Sequence, residues 1–209
     1  MSPDNRHLDA LRAAYTDWLG EPCEILPLRH RGAEAGLPVR LDLLFFQPSA
    51  DDPAAADDQF TFVATAGISA AAGGSLAELA EVMLEVEGEW SPGQLREVGI
   101  AVAEIAMAPA RRQGRLRANT LIRDVAWPIF EGMTAALVTR WPAPGETWLT
   151  SMSPPVQVLQ LVPLYAAEAL FAKRRGDREL LERFSASGVN WNDPKRSCLP
   201  LLDDNLGTS

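Results

Sequence analysis

The feature that most constrains the fold is a mostly apolar run from Val39 to Gln47. The run is rich in residues that favour β-strands. Such a run is typical of a strand that is buried on both faces. A chain of 209 residues is long enough to cover a strand of this kind without disulfides or metals.

Six further segments indicate strands by their content of β-branched, aromatic and aliphatic residues. One of them, Leu76–Glu87, also fits a helical stripe, and we favour a strand over its second half. The six segments are Cys23–Leu28, Phe60–Ala66, the second half of Leu76–Glu87, Ile122–Phe130, Ala135–Trp141 and Val156–Val162.

Four segments indicate helices. Asp4–Gly20 has one apolar stripe, and Ser91–Gln94 supplies a capping box with a proline at the first helical position. The helix that begins there is predicted to end near Met107. Pro163–Lys173 is predicted to be helical, with a stop at Gly176 and a second short helix that Asp177 caps.

The pattern predicts one domain over residues 1–209. The acidic stretch 48–58 (PSADDPAAADD) cannot pack and is predicted to be a flexible surface loop, because strand pattern resumes at once. Gly67–Ser75 is small and glycine-rich and is predicted to be a turn or loop. Residues 190–209 form a weakly patterned tail, and Arg111–Arg117 (RRQGRLR) is a basic island predicted to be a solvated loop.

The net charge, the lengths of the apolar runs and the N-terminal pattern limit the classes of partner that we expect. The net charge of −9, from 28 acidic and 19 basic residues, repels nucleic-acid phosphates and fits either simple solubility or a basic partner. No apolar run reaches the roughly 20 residues of a bilayer span, and the N-terminus lacks the order of a secretory signal. We therefore expect a cytoplasmic protein without membrane contact, in which Cys23 and Cys198 are free thiols.

Most of the residues that enzymes need are missing. The two histidines, His7 and His30, stand in no metal-ligand spacing, and there is no phosphate-binding or dinucleotide-binding glycine motif. We expect no metal, no cofactor and no catalysis. One alternative stays open: Gly67–Ala71 imitates a nucleophile elbow, in which Ser69 would be the nucleophile of a hydrolase, although Ala71 replaces the second glycine.

The chain contains six tryptophans, and they are the residues that give most information about a possible binding surface. Indole rings are enriched at binding hot spots, and they are equally common in cores. The candidate partner-binding residues lie in or beside the later strands. They are Asp124, Trp127, Trp141 and Trp148.

Several motifs together resemble one family. Thr65–Ser69 (TAGIS) resembles the T-x-G-[MLI]-S signature of Suppressor of fused (SUFU) domains, and Val156–Glu168 resembles the strand that enters the family's P-[IL]-[YT]-x-x-E. Gly176–Phe184 is similar to its G-x-x-x-L-L-x-x-[FL] helix, and Asp193–Arg196 to its closing D-P-x-R. The motifs occur in the family's order and, with the intervening pattern, span about Asp4 to Ser197.

This resemblance implies an α+β fold with a mostly antiparallel, curved sheet and helices packed on one side. The animal member of the family sequesters a transcription factor by clamping a peptide that adds a strand to its sheet, and bacterial members are associated with immunity to toxins. We therefore expect a non-catalytic protein-binding module, an immunity-type protein that sequesters a toxin or another basic partner. The alternatives are a hydrolase that uses Ser69, and a scaffold or homodimeric structural protein.

Overall fold

A computed structural model describes residues 3–29, 40–47, 60–71, 79–111, 115–140 and 148–201. These ranges contain five helices and eight strands. The helices are α1 (Pro3–Leu19), α2 (Ile68–Ala71), α3 (Pro92–Arg111), α4 (Ala166–Arg175) and α5 (Asp177–Ala186). The strands are β1 (Glu24–Arg29), β2 (Arg40–Phe46), β3 (Phe60–Ala66), β4 (Ala80–Glu87), β5 (Thr120–Arg123), β6 (Met133–Arg140), β7 (Trp148–Leu149) and β8 (Val156–Tyr165).

All eight strands belong to one sheet of order β1-β2-β3-β4-β8-β6-β5. The short strand β7 also pairs with β8, next to the stretch where β6 pairs with it. Among the described strands only β4 and β8 run parallel, and every other pair is antiparallel. The expected α+β class with a mostly antiparallel sheet is confirmed, and β8 joins its two halves.

Helices cover both faces of this sheet. Along β8, Leu159 and Leu161 pack into the cluster that contains α3, whereas Val158 packs into the α1 cluster and Val162 into the α4–α5 cluster. This corrects the one-sided arrangement that the family resemblance implied. The physical reason is the apolar character of the strands: a strand that is apolar on both faces needs cover on both.

One strand and one helix have boundaries that differ from the predicted ones, and local features explain both differences. The strand expected over Ile122–Phe130 ends at Arg123, because Asp124 adopts the left-handed conformation, with φ of 61°. The helix expected from Pro163 begins only at Ala166, since β8 continues to Tyr165.

Two other helices also differ from their predictions. Helix α3 was expected to end near Met107, and it runs past Pro109 to Arg111. Within the predicted loop Gly67–Ser75 lies the short helix α2. The ambiguity over Leu76–Glu87 is settled, because β4 occupies its second half.

The first part of the weakly patterned tail is packed. The backbone N–H of Glu87 donates to the carbonyl of Asn192 at 3.0 Å, so the tail lies against the end of β4. The Leu199 side chain is buried in the α4–α5 cluster. The acidic stretch 48–58 and residues 202–209 lie outside the described residues.

Candidate functional site

The T-x-G-x-S signature forms a turn around the buried carboxylate of Glu81. The Thr65 hydroxyl donates to Glu81 Oε2 at 2.8 Å, and the backbone N–H groups of Gly67 and Ser69 donate to Oε1 at 3.0 and 2.9 Å. Gly67 has φ of +129°, and a Cβ there would lie 2.7 Å from the Arg40 carbonyl oxygen. Burial raises the pKa of Glu81, while hydrogen bonds from Ser69, Gly67 and Thr65 partly offset that rise. The signature residues therefore hold a turn.

The same turn brings His7 to Ser69, as a hydrolase would require. His7 Nε2 lies 2.8 Å from Ser69 Oγ. However, the single hydroxyl proton of Ser69 is donated to Glu81 Oε1 at 2.6 Å, and the amides of the turn, which could have formed an oxyanion hole, donate to Glu81 too. Ser69 is also only 3% exposed. This arrangement fits a structural hydrogen-bond network better than a nucleophile.

The second set of signature residues forms a buried ion pair. Arg196 Nη1 and Nη2 each lie 2.7 Å from a different oxygen of Glu168. Glu168 also accepts the backbone N–H groups of Tyr165 at 3.0 Å and Leu199 at 2.9 Å, and Arg196 Nη2 donates to the Pro163 carbonyl at 2.9 Å. The P-[IL]-[YT]-x-x-E and D-P-x-R motifs thus fix the tail to the start of α4.

A groove of about 550 Å³ lies between α3 and the segment that follows β5, and we call it the α3 groove. Its size is within the range of protein ligand sites. Ile100 of α3 lines it and is 49% exposed, which makes it one of three large aliphatic side chains exposed among the described residues. The charged residues of the lining are Glu97, Glu104, Arg111, Arg123 and Asp124.

The strand next to this groove has an open edge. β5 pairs with β6 on one side, and no described strand pairs with its other side. The backbone N–H groups of Asn119 and Val125 donate to β6 carbonyls at 2.7 and 3.0 Å. Val138 faces β5, so Thr120 and Ile122, which pair with Val138 and Ala136, face β6, and the N–H groups of Leu121 and Arg123 face the open edge.

The charges of the α3 groove are unevenly paired. Glu104 and Arg111 form an exposed ion pair on α3, with Arg111 Nη2 3.0 Å from Glu104 Oε1. Glu97 and Asp124 have no ion pair within the described part of the chain. Arg123 also lines the groove and likewise has no ion pair among the described residues, so the groove offers apolar contacts from Ile100 together with charges of both signs and a small acidic excess.

The predicted site residues fall in different environments. Asp124 is exposed and lines the α3 groove. Trp127 is only 9% exposed; its Nε1–H donates to the Ala135 carbonyl at 2.9 Å and its ring packs edge-on against Phe130, so it belongs to the core below the same turn.

The other two predicted residues do not join them. Trp141 lies outside the described residues, and so does the Trp148 side chain. The backbone of Trp148 pairs with Gln157, beyond the end of β6, whereas Asp124 lies near its start. These two ends of β6 are roughly 20 Å apart.

The α3 side of the groove was missed in the sequence. The apolar stripe of that helix, which includes Leu95, Val98 and Val102, places Ile100 off the buried face. The isoleucine on the polar face of this helix is only a weak signal for the groove, since singly exposed apolar residues are common on protein surfaces.

Two kinds of site are not found in the described ranges. No helix there is both long and apolar enough to cross a bilayer. No group of three His, Cys, Asp or Glu side chains within those ranges could hold a metal ion.

The fold has known relatives. The chain is similar to a structure described as a SUFU (suppressor of fused protein) homologue from Neisseria gonorrhoeae, with a TM-score of 0.64 and 15% identity over 93% of this chain and 97% of the other. It is also similar to a chain of the Sufu–Fu complex (TM-score 0.57, 13% identity, 92% and 90% covered). For Drosophila Suppressor of Fused the TM-score is 0.60 at 14% identity, with 93% of this chain and 50% of that chain covered.

At these identities the structural matches show a shared fold. Among curated protein sequences no significant match is found. The model of the Suppressor of fused protein (SUFU) family matches residues 38–197, which is more than half of the chain. The chain therefore belongs to the SUFU family.

Proposed function

We propose that this protein is a non-catalytic protein-binding module that holds an extended segment of another protein along the open edge of β5. The observation that carries the proposal is the position of that edge beside the α3 groove. A peptide that adds as a strand gains backbone hydrogen bonds from the edge, and the neighbouring groove can receive its side chains.

The family relationship supports this class of activity. The Sufu chain to which this protein is similar was crystallised in a complex with Fu. The shared fold covers 92% of the present chain, so the elements that form the β5 edge and the α3 groove belong to a fold that serves protein binding elsewhere.

Charge suggests the kind of partner. The chain carries a net charge of −9, and Glu97 and Asp124 stand at the groove without ion pairs in the described ranges. An acidic surface of this kind speeds encounter with a basic protein. We therefore propose that the partner is basic and that the protein acts in the cytoplasm as an immunity-type protein that sequesters a toxin. We treat residues 1–209 as one domain.

The test uses two matched variants. Ile100→Glu introduces a charge into the α3 groove, and Leu170→Glu makes the same change at a residue of α4 with almost the same exposure, 48% against 49%. The wild type and both variants are used to capture proteins from native host lysate at low and high salt, with identification by mass.

We expect the wild type and Leu170→Glu to recover one stoichiometric basic partner that is released as salt rises. Ile100→Glu should reduce that recovery at least about tenfold, since a buried carboxylate without a partner costs more than 1.4 kcal/mol. If Ile100→Glu recovered as much of the partner as the wild type does, the binding site would lie outside the α3 groove. Recovery of no stoichiometric partner by the wild type would contradict the binding module itself.

A hydrolase is the second candidate, and the contact between His7 and Ser69 is the observation in its favour. The Glu81 network argues against it, because it uses the hydroxyl proton and the amides that catalysis would need. We expect an activated phosphonate to leave Ser69 unlabelled. Covalent labelling at Ser69 that is lost in His7→Ala would establish the hydrolase instead.

A scaffold that forms homodimers is the third candidate. Light scattering over a range of protein concentrations tests it. A stable dimer in the wild type that Ile100→Glu dissociates, with no other protein recovered from lysate, would replace the proposed function by self-association through the α3 groove.

A further inference from the structure

The open edge of β5 is short, because a left-handed residue stands at each end of the strand. Asn119, just before β5, has φ of 65°, and Asp124, just after it, has φ of 61°. Neither conformation continues an extended strand. The edge along which another strand can pair regularly is therefore limited to the four residues Thr120–Arg123.

Only two residues of β5 present backbone groups to a partner. The N–H and C=O groups of Leu121 and Arg123 face the open edge, because those of the residues that alternate with them face β6. A partner segment can thus form about four backbone hydrogen bonds there. Each of these bonds contributes no more, net, than the ordering of one residue costs in conformational entropy. The choice of partner therefore depends on side-chain contacts.

The side chains of β5 alternate between the two faces of the sheet. Ile122 belongs to the cluster that contains α3, whereas Leu121 packs against the α4–α5 cluster. A partner residue directly opposite Ile122 points to the same face, with its Cβ about 4.5–5.5 Å from that of Ile122. It therefore enters the α3 groove, where Ile100 and Ala101 supply apolar contacts. An aliphatic side chain suits this position.

The next partner residue on the same face meets an acidic environment. Side chains two positions apart on a strand are roughly 7 Å apart, so this residue comes beside Asp124, which follows β5 directly and lines the α3 groove. Asp124 and Glu97 have no ion pair among the described residues. Glu104 and Arg111 of the same lining pair with each other. A basic side chain is favoured here.

Arg123 restricts the position between these two. Its side chain leaves β5 on the face opposite to that of Ile122, since the two residues are adjacent, although it also borders the groove. The partner residue opposite Arg123 points to the same face as the guanidinium. Like charges directly opposite each other destabilise a strand pair, so this partner residue is not basic.

We propose that the open edge of β5 recognises a short extended segment in which a basic and an aliphatic residue stand two positions apart, with a non-basic residue between them. This rests on the proposed function and adds the residue pattern by which the partner is chosen. The aliphatic residue enters the α3 groove opposite Ile122, and the basic residue contacts Asp124 and Glu97. In an antiparallel segment the basic residue precedes the aliphatic one, and in a parallel segment it follows.

Selection of a phage-displayed library of random peptides on the full chain tests the pattern. The same library is selected on Ile100→Glu, on the double variant Glu97→Gln/Asp124→Asn, and on Leu170→Glu as the matched control on α4. Asparagine tolerates the left-handed conformation, so the double variant loses both carboxylates and keeps the turn after β5. Thermal unfolding verifies that every variant is folded.

We expect the wild type and Leu170→Glu to enrich peptides with the proposed spacing. The double variant should enrich the aliphatic residue without the basic one. The most enriched peptide is then titrated by fluorescence anisotropy. Its affinity should fall about two- to fivefold in the double variant, as for the loss of an exposed ion pair. In Ile100→Glu it should fall at least about tenfold, because the aliphatic side chain loses its apolar contact.

Two results would overturn the pattern alone. The wild type could enrich peptides in which basic and aliphatic residues have no preferred spacing, or the basic preference could survive the loss of both carboxylates. In either case, weaker peptide binding by Ile100→Glu would still support the proposed function. If the wild type enriched no peptide at all, the binding of an extended segment along β5 would be wrong, and the pattern with it.

Discussion

Glu168 and Arg196, 28 positions apart in the chain, form a buried ion pair in which each guanidinium Nη atom lies 2.7 Å from a separate carboxylate oxygen. Both side chains are almost completely inaccessible to solvent. The guanidinium also lies 5.2 Å from the centre of the Tyr165 ring and 5.0 Å from that of Phe184. The tail is therefore held by charge, hydrogen bonds and aromatic contact together.

Removal of the charge on Glu168 should destabilise the fold strongly. Glu168→Gln leaves the Arg196 guanidinium buried without a counter-charge, and we expect the free energy of unfolding to fall by about 3–5 kcal/mol. Urea denaturation measures it. Glu182→Gln is the control, since its pair with Arg178 is exposed and should contribute less than about 1 kcal/mol. If the free energy of unfolding fell equally in the two variants, the buried pair would not stabilise the fold more than the exposed pair does, and the prediction would be wrong.

Glu85 should make the stability depend on pH near neutrality. Burial raises its pKa to about 7, and a hydrogen bond with Asn192 partly opposes that rise. The folded protein thus binds a proton that the unfolded chain, with an ordinary pKa of 4.5, has already released. Stability should therefore fall as pH rises from about 4.5 to about 7. The change is at most about 3 kcal/mol, and partial solvent exposure reduces it.

The measurement is the melting temperature of the wild type and of Glu85→Gln at pH 5 and pH 8. The wild type should lose more stability than the variant between these values. Some dependence should remain in Glu85→Gln, because burial also raises the pKa of Glu81. If the melting temperatures of the two proteins fell equally between pH 5 and pH 8, Glu85 would not be a source of the pH dependence.

Replacement of Trp127 should lower the stability of the fold, because its ring is part of the core. Trp127→Ala removes a buried ring and the hydrogen bond to the Ala135 carbonyl, and we expect a loss of about 3–5 kcal/mol in chemical denaturation. Trp90→Ala, at a partly exposed indole, should cost clearly less. A Trp127→Ala protein with wild-type stability and weakened partner binding would instead support the surface role expected from the sequence.

Two glycines of α3 should respond in opposite directions to alanine. A Cβ at Gly99 would lie 2.7 Å from Phe45 Cζ, so Gly99→Ala should destabilise the protein by about 1–3 kcal/mol in spite of its better helix propensity. A Cβ at Gly93 meets no atom within 4 Å, and Gly93→Ala should stabilise by up to about 1 kcal/mol. Thermal unfolding of both variants measures the contrast, and a stabilising Gly99→Ala would mean that α3 can move away from β2.

Local patterns were enough to predict most of the sheet. The bounds predicted for Phe60–Ala66 are those of β3, because its β-favouring residues give a run that turn residues delimit. Pro163 misled the prediction, since proline usually begins a helix or interrupts a strand. It is tolerated in β8 because the pairing with β4 ends at Leu161, so its missing N–H costs no hydrogen bond on that side.

The candidate site was harder to predict because it depends on distant residues. Asp124 could be chosen from the sequence, whereas its neighbours Glu97 and Ile100 are brought to it only by the packing of α3. Sequence also cannot distinguish a buried tryptophan from an exposed one, and Trp127, a candidate partner-binding residue, is largely buried in the structure. The carboxylate of Glu81 gave no local signal, although it holds the signature turn.

The central position of β8 has a consequence for the protein during its synthesis. β8 pairs with β4, whose residue Ala80 lies opposite Gln157, and with β6 on its other side. A ribosome makes the first four strands and β6 before β8, so nascent chains carry an unpaired β4 edge until β8 has been made and has left the ribosome. Exposed edges of this kind are templates for aggregation. The interval before β8 emerges is thus when the nascent chain most needs a chaperone, and chains stalled on the ribosome within it should aggregate, whereas the released full chain should not.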